Sequence, residues 1–194
     1  STKGDERRRL ILEDARRALL ANGYANLSVR EIAKRVGISI GNLQYYYPSK
    51  DDLVEAIIQQ EIDHSLGLLD EIEWAPKHIK ASLGDAVSTV LNYLAGPAGR
   101  LYLISGTLAL TEARFQVQHE LGYAQVFASI TQILRVAAPH LDPSIQGRYV
   151  SIFVALIDGA TLRIQGMDDA KRKSETKKLA EDISATILAL IKTD

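Results

Sequence analysis

The run at residues 28–50, SVREIAKRVGISIGNLQYYYPSK, leaves the backbone few options. Ser28 is placed to cap a helix, and Glu31, three residues on, to reach back to the cap. Gly37 falls where a left-handed residue lets the chain reverse, and Ser39 is placed to cap a second short helix through Tyr46. Pro48 ends it. Two capped helices on either side of a turn glycine predict a helical hairpin. Its first helix carries Ile32, Ala33 and Val36 on one side.

The spacing within the hairpin narrows the reading. Ala33, Gly37 and Leu43 supply the small residue at a helix crossing, the turn glycine and the apolar anchor that a helix-turn-helix requires. The second helix presents Asn42, Gln44, Tyr45 and Tyr46, side chains that hydrogen-bond base edges and phosphates in a major groove. An ordinary hairpin with a tyrosine-rich packing face is the plainer alternative. It does not account for two caps, the turn and a polar outer face occurring together.

The stretch REIAKRVGISIGNLQYYYPSKDDL, with LILEDARRALLANGYANLS ahead of it, resembles the DNA-binding region of tetracycline-repressor (TetR) family regulators. The resemblance covers about the first quarter of the chain in detail; beyond it only helix order and length conform. It implies that Tyr45, Tyr46 and Lys50 touch the DNA backbone and that Tyr47 fills an aromatic core position usually held by Phe. Gln44 departs from the pattern, standing where the family most often has a phosphate-contacting tyrosine; glutamine instead suits bidentate reading of adenine. The expected DNA-binding set is Ser28, Arg30, Ser39, Ile40, Asn42, Gln44, Tyr45, Tyr46 and Lys50, with Arg7, Arg8 and Arg9 as candidate phosphate contacts.

Charge supports one polyanion-facing end. The net charge is -1, yet residues 1–50 hold ten Lys/Arg against five acids, and the remainder thirteen against nineteen. With no cysteine, the chain has no disulfide framework, thiolate zinc site or cysteine nucleophile. No apolar run reaches the roughly 18 residues of a membrane span, and the start lacks the apolar centre of a secretory signal. A cytoplasmic location, without membrane contact, is the expectation.

The periodicity predicts an all-α chain of about nine helices: an N-terminal three-helix head with the helix-turn-helix at residues 1–50, and a larger helical ligand-binding and dimerisation body at 51–194. Residues 1–5 read as a disordered lead and 6–21 as the first helix. A fourth helix begins at the SKDD cap and runs toward Glu73 as the connection between head and body. Further helices are expected at 77–95, 98–110, 112–138, 144–165 and 174–192, with 167–173 as a polar loop. The last two are more apolar than a small body can cover, which points to a homodimer. The resemblance implies the same, through a four-helix bundle of those helices.

Catalysis has little to build on. The four histidines are scattered, and no HExxH, GxSxG, phosphate-cradling or dinucleotide motif occurs; GPAG at 96–99 is a helix break. Neither metal nor cofactor is expected. The middle helices carry Trp74, Tyr93, Tyr102, Phe115, Tyr123, Phe127 and Phe153 with the polar Gln116, His119 and Arg163. Residue by residue these suit a core; the resemblance implies a cavity among helices five to eight that receives an unknown small-molecule effector. Asp158 reads as a packing or interface contact rather than a ligand anchor. The functional expectation is a ligand-responsive regulator, a repressor holding palindromic double-stranded operator DNA as a dimer. The alternatives are an effector-independent architectural or partner-recruiting protein of the same fold, and a helical enzyme with a vestigial head.

Overall fold

The structure is a computed structural model that describes residues 3–192, and among them it contains nine α-helices and no strand. They are α1 (Lys3–Asn22), α2 (Val29–Val36), α3 (Ile40–Tyr46), α4 (Lys50–Gly67), α5 (Ile79–Ala95), α6 (Pro97–Ala109), α7 (Ala113–Ala137), α8 (Pro143–Gln165) and α9 (Asp169–Lys192). A 3-10 turn, Pro76–His78, leads into α5.

Two apolar cores organise them. The first gathers Ile11, Ala15 and Leu19 of α1, Ile32 and Ala33 of α2, Leu43 of α3 and Leu53, Val54, Ile57 and Ile58 of α4. It also takes in Leu101, Leu108 and Phe115 of α6 and α7, so the head rests directly on the body. The second core joins Leu83, Val87 and Leu91 of α5 with Leu134, Val150, Phe153, Val154, Ile183, Ile187 and Ile191 of α7, α8 and α9. The first half of α4 therefore packs with the head, and the remainder extends along the body.

Three boundaries differ from the expected ones. Residues 3–5 are helical rather than a loose lead, and residues 1–2 lie outside the described ones. Helix α4 ends at Gly67, not near Glu73, and turns follow it through residue 72. The intended loop at 167–173 is mostly the first turn of α9. There the Asp168 carboxylate accepts the Lys171 N–H at 3.0 Å, while the Arg172 guanidinium donates to the carbonyls of Ile164 (3.1 Å) and Met167 (2.6 Å). One arginine thus satisfies the open carbonyls at the end of α8 from inside the next helix. No described helix is long and apolar enough to cross a membrane.

Candidate nucleic-acid interface and an adjoining cavity

The hairpin forms as its caps dictate. Ser28 Oγ accepts the Glu31 N–H at 3.3 Å and Ser39 Oγ the Asn42 N–H at 3.1 Å. The reciprocal capping box occurs only at Ser49 among the described residues: Asp52 N–H donates to Ser49 Oγ (3.1 Å) and Ser49 N–H to Asp52 Oδ2 (2.8 Å). Gly37, at φ 74°, ends α2 in the left-handed region, and the next N–H, that of Ile38, returns to the Ala33 carbonyl at 3.0 Å. The chain reverses within three residues, and α3 comes to lie across α2.

Leu43 is wholly buried beneath α3, so the opposite side of that helix faces outward. Ser28, Arg30, Ser39, Ile40, Asn42, Gln44 and Tyr45 are exposed, Tyr45 at 82%, while Tyr46 and Lys50 are half-buried. Tyr45 meets the Tyr46 ring edge-on at 5.3 Å, and the Arg8 guanidinium lies over Tyr46 at 5.8 Å. An open groove of about 370 Å³ runs beside α3, bordered by Lys3 and Arg7 of α1 and by Ser39, Asn42 and Tyr46. Arg9 is tied instead to Glu6 and Glu13. The Lys50 amine donates to the Ala25 carbonyl at 3.3 Å and lies 4.2 Å from the centre of the Tyr24 ring. Arg35 pairs at 2.8 Å with Asp14, which is itself buried, so it fastens α2 to α1.

Tyr47 is buried beneath this surface, as the pattern predicted, but its hydroxyl has no hydrogen-bond partner among the described residues. Burial raises its pKa, because the phenolate would be less solvated still. An unsatisfied buried hydroxyl costs about 1–3 kcal/mol. Tyr47→Phe is therefore expected to stabilise the protein by about 1 kcal/mol, raising Tm by roughly 2–4 °C in calorimetry. A lower Tm would mean that the hydroxyl is satisfied.

The body holds a cavity of about 120 Å³ between α4, α5, α6, α7 and α8. Its walls are largely apolar, among them Ile58, Ile62, Leu94, Val126 and Val154. Two hydrogen-bonded groups interrupt them. Tyr93 donates to Glu61 Oε2 at 2.6 Å, and the other Glu61 oxygen accepts from Arg16 Nε of α1. Tyr123 donates to Asp158 Oδ2 at 2.6 Å; the Tyr102 and Tyr123 hydroxyls stand 2.6 Å apart, so Tyr102 is the donor of that pair. Burial first, and then the bond to Asp158, raise the Tyr123 pKa to about 12. Burial likewise raises those of Tyr93 and Tyr102. All three remain protonated phenols at neutral pH.

The ten residues named for the middle helices divide. Tyr93, Tyr102, His119 and Tyr123 line the cavity. Trp74 does not: its indole donates to the Leu69 carbonyl at 3.4 Å beside a separate groove between Leu69–Trp74 and α7. Phe115 belongs to the head core, edge-on to Tyr24, and Gln116 is exposed and bonded to Glu120. Phe127 and Phe153 pack in the second core, and Arg163 faces outward to Glu175. Sequence reasoning missed Glu61 as a wall residue; Asp158 of α8 makes the expected packing contact, accepting from Tyr123 of α7, and also lines the cavity. The spacing of Glu61 one turn after Ile57 and Ile58 was the available sign.

The head's geometry has relatives. Residues 11–57 match the model of the tetR family of bacterial regulatory proteins. The head is a tetR-family head. The regulator UidR of Escherichia coli K12 is 34% identical over 70 residues, which cover 36% of either chain, so the match spans about a third of that relative's length. PksA of Bacillus subtilis is 38% identical over 50 residues, 26% of this chain and 24% of its own. Across the whole chain the fold is shared with GusR of Salmonella enterica, with a TM-score of 0.79, 20% identity and 98% of both chains covered. The tetR-family head thus sits on a body whose fold also recurs, and the family is one of DNA-binding transcriptional regulators rather than enzymes.

Proposed function

We propose that this chain, with its tetR-family head, is a ligand-responsive repressor that holds a palindromic operator as a homodimer and is released by a small molecule bound in the body. The observation carrying the proposal is the placement of Glu61: its carboxylate is in the cavity wall and also holds Arg16 of the head helix α1. A ligand that draws Glu61 toward itself weakens the α1–α4 contact. Because α4 is fixed to α7 by Arg114 with Asp52 and Glu55, and by Gln118 with the Glu55 carbonyl at 2.7 Å, movement in the body reaches the head through α4. The effector then favours a conformation in which the two heads no longer match successive major grooves, about 34–36 Å apart.

In this reading the domains remain a head at 1–50 and a body at 51–194, and the DNA-facing set is that of α3 with the starts of α2 and α4. The twofold contact involves α8 and α9. Ile152 and Leu162 of α8 are 41% and 64% exposed in one protomer, and they flank the exposed Ser151, Ala155 and Gly159. A Cβ at Gly159 would meet nothing of its own chain, so this glycine has no packing reason within the protomer; a partner helix lying close supplies one. Light scattering at micromolar concentration should give the dimer mass, and a monomer mass overturns the interface.

Gel shift and footprinting on the DNA beside the protein's own gene, at fixed salt, test the whole. Two symmetric protected half-sites are expected. Sequence-indifferent binding would favour the effector-independent architectural alternative. Gln44→Ala should relax discrimination at one base pair per half-site by about 1–3 kcal/mol, read by competition with operators varied one position at a time. Unchanged discrimination would mean Gln44 does not read a base.

A further inference from the structure

We infer that the body cavity selects a small organic cation, a protonated amine about the size of a six-membered ring, with Asp158 as its counter-ion. The inference rests on the effector reading above and names the chemistry of that same site.

Hydrogen-bond direction is the first argument. Tyr93 spends its proton on Glu61, Tyr123 on Asp158 and Tyr102 on Tyr123. Ser65 donates to the Ile62 carbonyl at 2.8 Å. The cavity therefore offers carboxylate and phenol oxygens whose lone pairs are open and whose protons are committed. Ser105 and His119 complete the polar lining, and His119 lies edge-on to Tyr123 at 4.8 Å between ring centres. Ser105 and His119 can each donate or accept, but a ligand matching the carboxylate and phenol oxygens brings donors.

Charge is the second. Of the two carboxylates on the wall, Glu61 is balanced by Arg16. Asp158 has no Lys or Arg ion-pair partner among the described residues and depends on phenol hydroxyls alone. A half-buried carboxylate without a counter-charge favours a cation beside it. Tyr93, Tyr102 and Tyr123 line the cavity, and aromatic rings attract ammonium groups through their quadrupoles. An anionic ligand would meet the same carboxylate as repulsion.

Volume sets the size. A cavity of roughly 150 Å³ accommodates benzene, and this one measures about 120 Å³. A compact cyclic or branched amine fits with small side-chain adjustments, whereas a large flat cation needs the walls to move apart.

The test is calorimetric titration of the purified protein at neutral pH with three probes of equal heavy-atom count: piperidine, protonated at that pH; tetrahydropyran, its uncharged isostere; and butyrate, an anion. Piperidinium is expected to bind at least tenfold more tightly than either competitor. In Asp158→Asn that preference should fall to less than threefold, while Tyr123→Phe, which keeps the carboxylate, should retain it. Equal affinities, preference for tetrahydropyran or butyrate, no heat with any probe, or an undiminished preference in a folded D158N protein overturns the inference. The wild-type ranking decides the question even where D158N fails to fold. Footprinting of the ligand-free protein separately tests the regulator reading, so a specific footprint without cation preference would leave a repressor with a different ligand class.

Discussion

Replacing Gly99 with alanine is expected to cost the fold about 3–5 kcal/mol, estimated from about 1–3 for overpacking and about 1 for each of two hydrogen bonds. Gly99 lies in the first turn of α6, just after the Ala95–Pro97 corner, and is buried. A Cβ built there would stand 1.9 Å from the Leu94 carbonyl oxygen and 2.6 Å from Gln165 Nε2. Neither neighbour can withdraw freely. The oxygen belongs to the backbone of α5, and the Gln165 amide donates to both the Leu94 (2.6 Å) and Gly96 (2.8 Å) carbonyls, clasping the corner from α8. Since Leu94 and Ala98 also line the cavity, the same displacement should disturb ligand binding. Denaturant unfolding measures the loss. Gly84→Ala is the control: it is in α5 with open space around its would-be Cβ, and the gain in helix propensity should leave stability unchanged or raised by up to about 1 kcal/mol. A G99A protein within about 1 kcal/mol of wild type would mean that the corner is looser than this packing implies.

The corner illustrates what the sequence could and could not disclose. GPAG at 96–99 was readable as a helix break, because proline fixes the start of a helix and glycine tolerates its end. That Gly99 must lack a side chain was not readable, since the amide that fills its space is supplied by Gln165, far along the chain. The same division holds for the functional regions. The helix-turn-helix depends on caps and a turn acting over three or four residues, so Ser28, Gly37, Ser39 and Ser49 were visible in order. The cavity depends on which sides of five helices converge. Periodicity gives each helix an apolar side but not its neighbour, so Phe127 and Phe153 were indistinguishable from Tyr123. Glu61, an acid within an apolar stripe, signalled a buried partner but could not name Tyr93 or Arg16. The early start of α9 was hidden for a related reason: residues 167–173 read as a polar loop, and nothing local showed Arg172 turned back onto the carbonyls of Ile164 and Met167.

The head makes the second large prediction. Leu43 is 0% exposed and lies under the middle of α3, in the same core as Ile32, Ala33 and Leu53. Truncating such a leucine removes its burial energy and leaves a cavity, at about 2–5 kcal/mol. Helix α3 has only seven residues, too few to persist without the packing beneath it. On the proposed repressor reading, Leu43→Ala should therefore release α3 and reduce specific operator affinity by at least a hundredfold, while Asn42, Gln44 and Tyr45 remain chemically intact. No residue of α3 joins the second core or lines the cavity, so the proposed dimer and ligand preference should persist. Leu43→Met, which keeps the volume, should cost less than about 1.5 kcal/mol and retain the footprint. The pair separates geometry from chemistry. Loss of binding in L43A with retention in L43M means that the presentation of α3 governs recognition, whereas full binding by L43A would show that the DNA is held by groups outside α3, such as Lys3 and Arg7 beside the groove.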